Sequence, residues 1–549
     1  MFLAPVCDSF SRLTTVSPCG RGSRSCLRIR LESFVDRRDM GTHLLSGDVG
    51  SVSGAASVVH STYIRQQFQN TFFNDSGSTS VQRRDLLRLT GGAGLAFIGE
   101  TLRQRCVHAA NTSDQPAPSV PGFGQAKSVI LVFANGGQSQ LETWDPKPQA
   151  PQEIRGAFGA ISTAVPGTLL GDRLPQLARL ADRYSIVRTM SHEDLDHGSA
   201  FYLSMCGQYH QRLSSNPSVQ PSDHPFAGSV LKRVAPTDRF VHTAVTVNGP
   251  ALVPWEPGPG QYGGLLGKDL DPMIVGDVTT GRPPVPGLTP IDTLGSSRRS
   301  DRQNLLKSLE SSALTAGSEY SPEMFDMQAL YRQAFDMLDR PASREAFHID
   351  SEPAALRDRY GRHRPGQACL LARRLVEARV PLVTVMWNHS NRGQDRYTDP
   401  EEFGWDTHND IFQVMDTHLL PKFDQSFSAL LEDLDDRGLL SETLVICMGE
   451  FGRAPLVALE PRFAGATPGR KHWAATYSIV FAGAGVTPGT VVGESDRHAA
   501  YPVSTKYGPW DVTATIFSAL GIDPSSHFHD LTDRPYPISI GKPMTALYA

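Results

Sequence analysis

Asp406, His408, Glu450 and His472 bring two carboxylates and two imidazoles into the stretch from Trp405 to Trp473. Such a set suits a divalent ion (zinc, manganese or calcium), with water completing the shell, and leaves its identity open. Arg453, and Arg470 beyond it, offer guanidinium forks of the kind that pair with phosphate or sulfate oxygens. A plainer reading makes Asp406 and Glu450 helix caps and the two histidines loop hydrogen-bonders. The shared site is preferred because all four residues fall at the ends of expected elements.

Three more groups carry chemistry. Ala134-Asn135-Gly136-Gly137-Gln138-Ser139 follows an apolar run, and two glycines there permit positive φ or a close backbone approach. Ser139 is a candidate nucleophile, although a cap or binding role is preferred because no base is adjacent. Ser191-His192-Glu193-Asp194-Leu195-Asp196-His197 sets two histidines five apart around three acids, fit for a metal or an anionic substrate, or for a polar loop. Asn388 and His389 close another apolar run and, with His192 and His197, are candidate substrate-binding residues.

These residues need a frame. Leu444–Met448 is short and continuously apolar, as a strand covered on both faces must be, and Glu450 follows it. Ser128–Phe133, Ser185–Met190, Pro381–Trp387 and Ser478–Ala482 read the same way. Between Ile411 and Leu434 apolar residues recur at helical spacing, and Pro421 must kink that helix or start a new one. Further helices are expected over Leu174–Tyr184, Ser321–Leu338, Gln367–Arg379 and Trp510–Leu520. Strands alternating with helices give an α/β class, an α/β/α sandwich around a mostly parallel sheet. Such sheets bind ligands beyond the carboxyl ends of their strands. A Pro/Gly-rich insertion, about 208–345, interrupts the domain as a lid or substrate wall.

A formal charge of -5 over 549 residues gives no argument for nucleic-acid binding. No apolar run approaches the roughly 20 residues of a transmembrane helix. Residues 1–82 are rich in Ser, Arg and Gly, and are read as a disordered leader or a start codon placed too early. Residues 83–110 carry Arg83-Arg84, the apolar run Leu89–Ile98 and a small-residue site near Ala109. That order is expected of a twin-arginine signal, which makes the export machinery a partner and the mature protein periplasmic or extracellular. Residues 111–126 read as a linker and 127–549 as the main domain. Cleavage near Ala109 would leave Cys206, Cys369 and Cys447, too few for a disulfide framework.

Arg83-Arg84-Asp85-Leu86-Leu87-Arg88, Gly136-Gly137-Gln138-Ser139-Gln140, Trp144-Asp145-Pro146-Lys147, Ser191-His192, Trp405-Asp406-Thr407-His408, Gly449-Glu450-Phe451-Gly452-Arg453 and His472-Trp473 occur in this order. From about Ser128 onward the chain resembles domain of unknown function 1501, common in exported proteins of planctomycete-type bacteria and placed with the alkaline phosphatase and sulfatase superfamily. The resemblance implies an alkaline phosphatase-like sandwich with metal ligands at strand ends. It further implies two metals acting on a phosphate or sulfate ester. Asp406 and His408 resemble ligands of one metal, and Glu450 and His472 fall where further ligands are usual. Two departures stand against a two-metal site: Asn135 replaces an Asp, and Phe451 replaces a His. Glu142 stands where the family usually has Asp.

Two functions follow. One is an exported metal-dependent hydrolase of small-molecule or polysaccharide esters, with Asp406, His408, Glu450 and His472 on the ion, Arg453 stabilising charge and Ser139 as nucleophile if a covalent step exists. The other is a non-catalytic extracytoplasmic binding protein on the same fold.

Overall fold

The computed structural model describes residues 120–280, 298, 300–306, 308, 341–392 and 403–549. The chain divides into two units, Met1–Ala110 and Asn111–Ala549, and every described residue lies in the second. The expected leader, the twin-arginine segment and the helix over Ser321–Leu338 lie outside the described residues.

Eight strands form the central sheet: β1 (Ser128–Phe133), β2 (Ser185–Met190), β3 (Ala244–Val247), β4 (Met273–Val275), β5 (Leu382–Met386), β6 (Thr443–Met448), β7 (Tyr477–Ala482) and β8 (Val491–Val492). Their order across the sheet is β8-β2-β7-β6-β1-β5-β3-β4. All neighbouring pairs are parallel except those of β7, which runs antiparallel to both β2 and β6. β1 and β6 are buried along their whole length, which explains their unbroken apolar sequence.

Alternate residues of these strands feed two cores, as the two-residue period of a strand requires. Ile130, Val132, Val445 and Cys447 face Phe423, Phe427, Leu430 and Leu434 of one long helix, Leu420–Asp436, and Leu371 and Leu375 of another, Arg364–Glu377. Val129, Leu131, Leu444 and Ile446 share the opposite core with Phe201 and Met205 of helix His197–Cys206, Val230 of Ala227–Val234, and Ile516 and Phe517 of Pro509–Ala519. The fold is therefore the expected α/β/α sandwich. Cys206, Cys369 and Cys447 are buried free thiols.

Pro421 does not kink one helix; it begins a new one. A π-turn over Met415–Leu419 precedes it, so the missing N–H falls at the first turn of Leu420–Asp436, where no partner is required. The helix expected over Leu174–Tyr184 breaks into Pro175–Arg179 and a 3₁₀ turn, Ala181–Arg183. The described part of the 208–345 insertion contributes β3, β4 and a helix, so it extends the sheet as well as walling the cleft.

Register decides what meets at the sheet's carboxyl edge. Phe133 pairs with Met386 on one side and Met448 on the other, so the residues after β1, β5 and β6 emerge together. Tyr477 at the start of β7 pairs with Met190 at the end of β2, which sets Ser191–His197 beside His472.

Away from that edge His224 is buried, its Nε2 3.0 Å from Gln208 Nε2. Burial, partly opposed by the Pro225 carbonyl, pushes its pKa from 6.5 down to about 4. Between those values the unfolded chain takes up a proton that the folded chain refuses, so stability falls as pH falls. Urea unfolding at pH 7 and pH 5 should show the wild type losing about 2 kcal/mol more than His224→Gln. Equal losses would mean that His224 titrates normally.

Candidate metal centre

Gly136 shows how closely the edge is built. Its φ is +117°, and a Cβ there would lie 2.5 Å from the backbone nitrogen of Asp406. Only glycine lets the 403–406 segment cross β1's exit. Trp405 N–H donates to Asn135 O at 3.1 Å, and Asp406 N–H to Asn391 O at 3.0 Å. These bonds aim the Asp406 carboxylate at the edge of the sheet.

Three imidazoles meet it. Asp406 Oδ1 lies 3.1 Å from His197 Nε2, 3.1 Å from His408 Nε2 and 3.2 Å from His472 Nε2. His197, Asp406 and His472 form a group whose ligand atoms lie within 4.8 Å of one another. His408 joins it through Asp406 and through His472 Nε2, 3.0 Å away. Arg453 approaches the same Asp406 oxygen at 2.8 Å.

The outer nitrogens fix the rings. His197 Nδ1 lies 2.5 Å from Glu450 Oε1, and Glu450 also accepts from Gly136 N–H at 2.9 and 3.1 Å. His472 Nδ1 donates to Leu195 O at 2.6 Å. Both arrangements are the usual backing of a metal-ligating histidine. His408 is held by stacking, with Phe463 parallel at 3.7 Å between centroids. The Asn409 amide secures that loop by donating to the carbonyls of Glu460, Phe463 and Ala464 at 2.9, 3.1 and 3.1 Å.

The charges fit a cation. Burial pulls the His472 imidazole down to about 4, helped by the charge of His197. A neutral His472 with its Nδ1–H on Leu195 O turns a bare Nε2 lone pair towards a carboxylate oxygen. Burial also lowers His408, despite Asp406. Burial lowers His197 too, but Asp406 and Glu450 on either side reverse this and push it up to about 9. Burial would raise Asp406, yet His197 and Arg453 hold it well below the usual range. The His472 lone pair and the Asp406 carboxylate turn inward, with acceptors behind the His197 and His472 rings, and a divalent ion would take the place of the proton that His197 holds.

The candidate residues separate into distinct positions. Asp406, His408 and His472 converge, and His197 joins them. Glu450 lies one layer back, fully buried. His192 does not reach the cleft: its Nε2–H donates to Glu450 O at 2.7 Å, while Nδ1 accepts from Asp194 N–H at 3.1 Å. Asn388 ties loops together, donating to Asn135 O at 2.6 Å and Ser390 O at 2.5 Å. His389 follows it, and its carbonyl accepts from Leu252 N–H at 2.8 Å. Ser139 is fully buried and donates to Glu142, behind the site. Arg453 is fully buried on Asp406 and the carbonyls of Gly136, Gly137 and Arg470, so it braces the site instead of meeting a substrate. Arg470 is equally buried, on Glu142.

Both departures from the resembled family acquire a place. Asn135 is fully buried, its amide donating to Leu252 O at 3.3 Å. The Phe451 ring packs against His197 and His472, with centroids 4.9 and 4.6 Å away.

The centre opens into a cleft of about 440 Å³, walled by Leu195, Pro254, Trp255, Phe463 and Ala464, with Asn216, Asn391, Arg392 and Arg462 among its polar lining. The sequence alone does not single out Trp255 or Arg392 as cleft residues. The available signal was a tryptophan among prolines and glycines.

The sequence matches the family described as "Protein of unknown function (DUF1501)" over residues 126–547. No curated protein matches it. Among similar solved structures, an alkaline phosphatase superfamily protein from Vibrio parahaemolyticus is 12% identical, covering 80% of this chain and 76% of that one, with a TM-score of 0.37. The phosphonate monoester hydrolase SpPMH from Silicibacter pomeroyi is 12% identical, covering 77% and 76%, at 0.33. Ps i-CgsB, in complex with k-i-k-neocarrahexaose, is 12% identical, covering 72% of each chain, at 0.35. Likeness at this level leaves the chemistry to be argued from the chain's own residues.

Proposed function

We propose that this chain, which belongs to the DUF1501 family across residues 126–547, is a metal-dependent hydrolase of phosphate or sulfate esters. The observation that carries the proposal is the meeting of His197, His408 and His472 Nε2 on Asp406 Oδ1, at 3.1, 3.1 and 3.2 Å. These four residues would hold one divalent ion. A set dominated by imidazole favours zinc or manganese over calcium, which prefers oxygen. When bound, such an ion supplies Lewis-acid polarisation of an ester oxygen.

The chain's own residues do the rest. Glu450 and Leu195 O hold two rings in register. Arg453 keeps Asp406 charged and aimed. Phe463 shields one face of His408 from water. Ser139 lies behind the site, and no Ser, Thr or Cys lines the cleft among the described residues. Among the described lining residues, water is the available attacking group. The same observation favours the second reading, a binding protein that retains the anionic ligand unchanged.

We further propose that the chain is exported by the twin-arginine route, on the strength of Arg83-Arg84, the apolar run Leu89–Ile98 and the small residues near Ala109. Loss of export in an Arg83→Lys/Arg84→Lys variant would support this, and unchanged export would refute it.

The test of activity is direct. Chelator-stripped protein is equilibrated with zinc or manganese, and bound metal is counted before nitrophenyl phosphate and sulfate are offered. One ion per chain with metal-dependent turnover is expected. One ion without turnover of either ester class selects the binding protein, and no bound ion overturns the proposal.

A further inference from the structure

A phosphate or sulfate ester carries negative charge, and a cation at the cleft must meet its oxygens. The arginines nearest the centre are engaged inside the protein: Arg453 is fully buried on Asp406, and Arg470 on Glu142. Arg392 lies against Trp255, its guanidinium carbon 3.2 Å from the ring centroid. Arg462, the other arginine of the cleft lining, is held differently.

Its backbone is fixed and its side chain is not. Phe463 N–H donates to Glu460 O at 3.0 Å, closing a β-turn with Pro461 and Arg462 at its centre. Proline at the second position presets such a turn. The Asn409 carboxamide, fully buried, clamps it: Oδ1 accepts from Glu460 N–H at 2.8 Å, and Nδ2 donates to the carbonyls of Glu460, Phe463 and Ala464. Phe463, next in the chain, stacks on His408, so the turn stands at the rim of the metal centre.

At the tip of this turn the Arg462 side chain is 86% exposed. Its ion-pair partner among the described residues is Glu460 Oε2, at 4.0 Å. The other oxygen of Glu460 is already matched by Lys471, 2.7 Å away. Arg462 therefore keeps a loosely held charge on a firmly held backbone. Stacking on His408 accounts for Phe463, but the fold gives the neighbouring guanidinium no comparable task.

We propose that Arg462, carried on the turn that Asn409 clamps, captures the anionic group of the ester at the mouth of the cleft. The inference rests on the ester-cleft reading above but not on the presence of the metal. A side chain so exposed must be ordered as it binds, so it returns only part of the strength of a charge-assisted hydrogen bond, and salt screens it.

The experiment titrates inorganic phosphate, and separately sulfate, into the full-length protein by calorimetry, metal-stripped and zinc-equilibrated, with bound zinc counted in every sample. At low salt Arg462→Gln should weaken the better-bound anion roughly three- to tenfold, with zinc stoichiometry unchanged. The difference should shrink in about 1 M sodium chloride, where charges are screened beyond roughly 3 Å. Arg239→Gln is the control for net charge. Arg239 is 78% exposed and lines a separate pocket with Lys127 and Pro381, which precede β1 and β5 at the other edge of the sheet. That variant should bind the anion as the wild type does. Wild-type affinity in Arg462→Gln overturns the proposal. So does an equal loss in Arg239→Gln, a loss that salt leaves unchanged, or loss of zinc together with the anion. No anion binding by the wild type in either state also overturns it, even where one zinc per chain is counted and the metal centre stands. Anion binding that depends on Arg462 in a protein that takes no zinc upholds this inference while refuting the metal centre.

Discussion

Asp406→Ala will remove stoichiometric metal binding and leave thermal unfolding insensitive to added zinc or manganese. The reason is the geometry of one oxygen, Asp406 Oδ1, which lies within 3.2 Å of three imidazole nitrogens. Its removal takes away the anionic member of the set and leaves three imidazoles with nothing to offset the charge of an ion. In the wild type, free metal at a hundred times its dissociation constant should add about 2.7 kcal/mol to stability. The variant should gain none. The relevant quantity is the change on adding metal, because the metal-free variant also loses the 2.8 Å contact between Asp406 and Arg453. His192→Ala is the companion measurement: His192 touches the backbone of Glu450 and not the centre, so metal binding should survive it. Undiminished metal in Asp406→Ala would sink the assignment of the ligands.

The frame of this site was legible because burial on two faces leaves a strong sequence trace. β1 and β2 appear in the sequence with the bounds they have in the structure, and β6 differs by one residue. Pairing leaves no such trace. Nothing in Ser478–Ala482 shows that it runs antiparallel between two parallel neighbours, yet this reversal is what brings His472 beside His197. The sequence therefore places Glu450 among the ligands and His197 among the substrate-binding candidates, and spacing alone cannot exchange them. In the structure Glu450 stands one layer out, behind the His197 ring. Arg453 and Arg470 mislead for a related reason. An arginine beside a strand end looks available to a substrate, and only tertiary packing shows its guanidinium enclosed by carbonyls. β3, of four residues, lies in a region of prolines and glycines too irregular to betray a strand.

Arg470→Met will destabilise the fold by about 3–5 kcal/mol, the usual result of removing one partner from a buried ion pair. Arg470 and Glu142 are both fully buried, 2.6 Å apart at their closest atoms. The guanidinium also donates to Ala454 O at 3.2 Å, Ile154 O at 2.8 Å and Pro455 O. Methionine fills the volume but takes the countercharge from Glu142, which keeps only the Ser139 hydroxyl, and leaves these carbonyls unsatisfied. Urea unfolding at neutral pH measures the loss. Adding Glu142→Gln should recover part of it, because the stranded charge is the largest component. Lys127→Ala gives the contrast: its partner Glu442 is near solvent and Lys127 is 64% exposed, so about 1 kcal/mol or less is expected. The consequence reaches the metal centre through the chain itself. Arg470 binds the carbonyls of Ala454 and Pro455, at the start of the segment that carries Phe463 over His408. Loosening that segment frees the His408 ring, so Arg470→Met should also weaken metal binding although it touches no ligand. An Arg470→Met protein with wild-type metal affinity would show that the Phe463 loop is held without Arg470, by Asn409, Asp410 and the Ala458–Gly469 pairing.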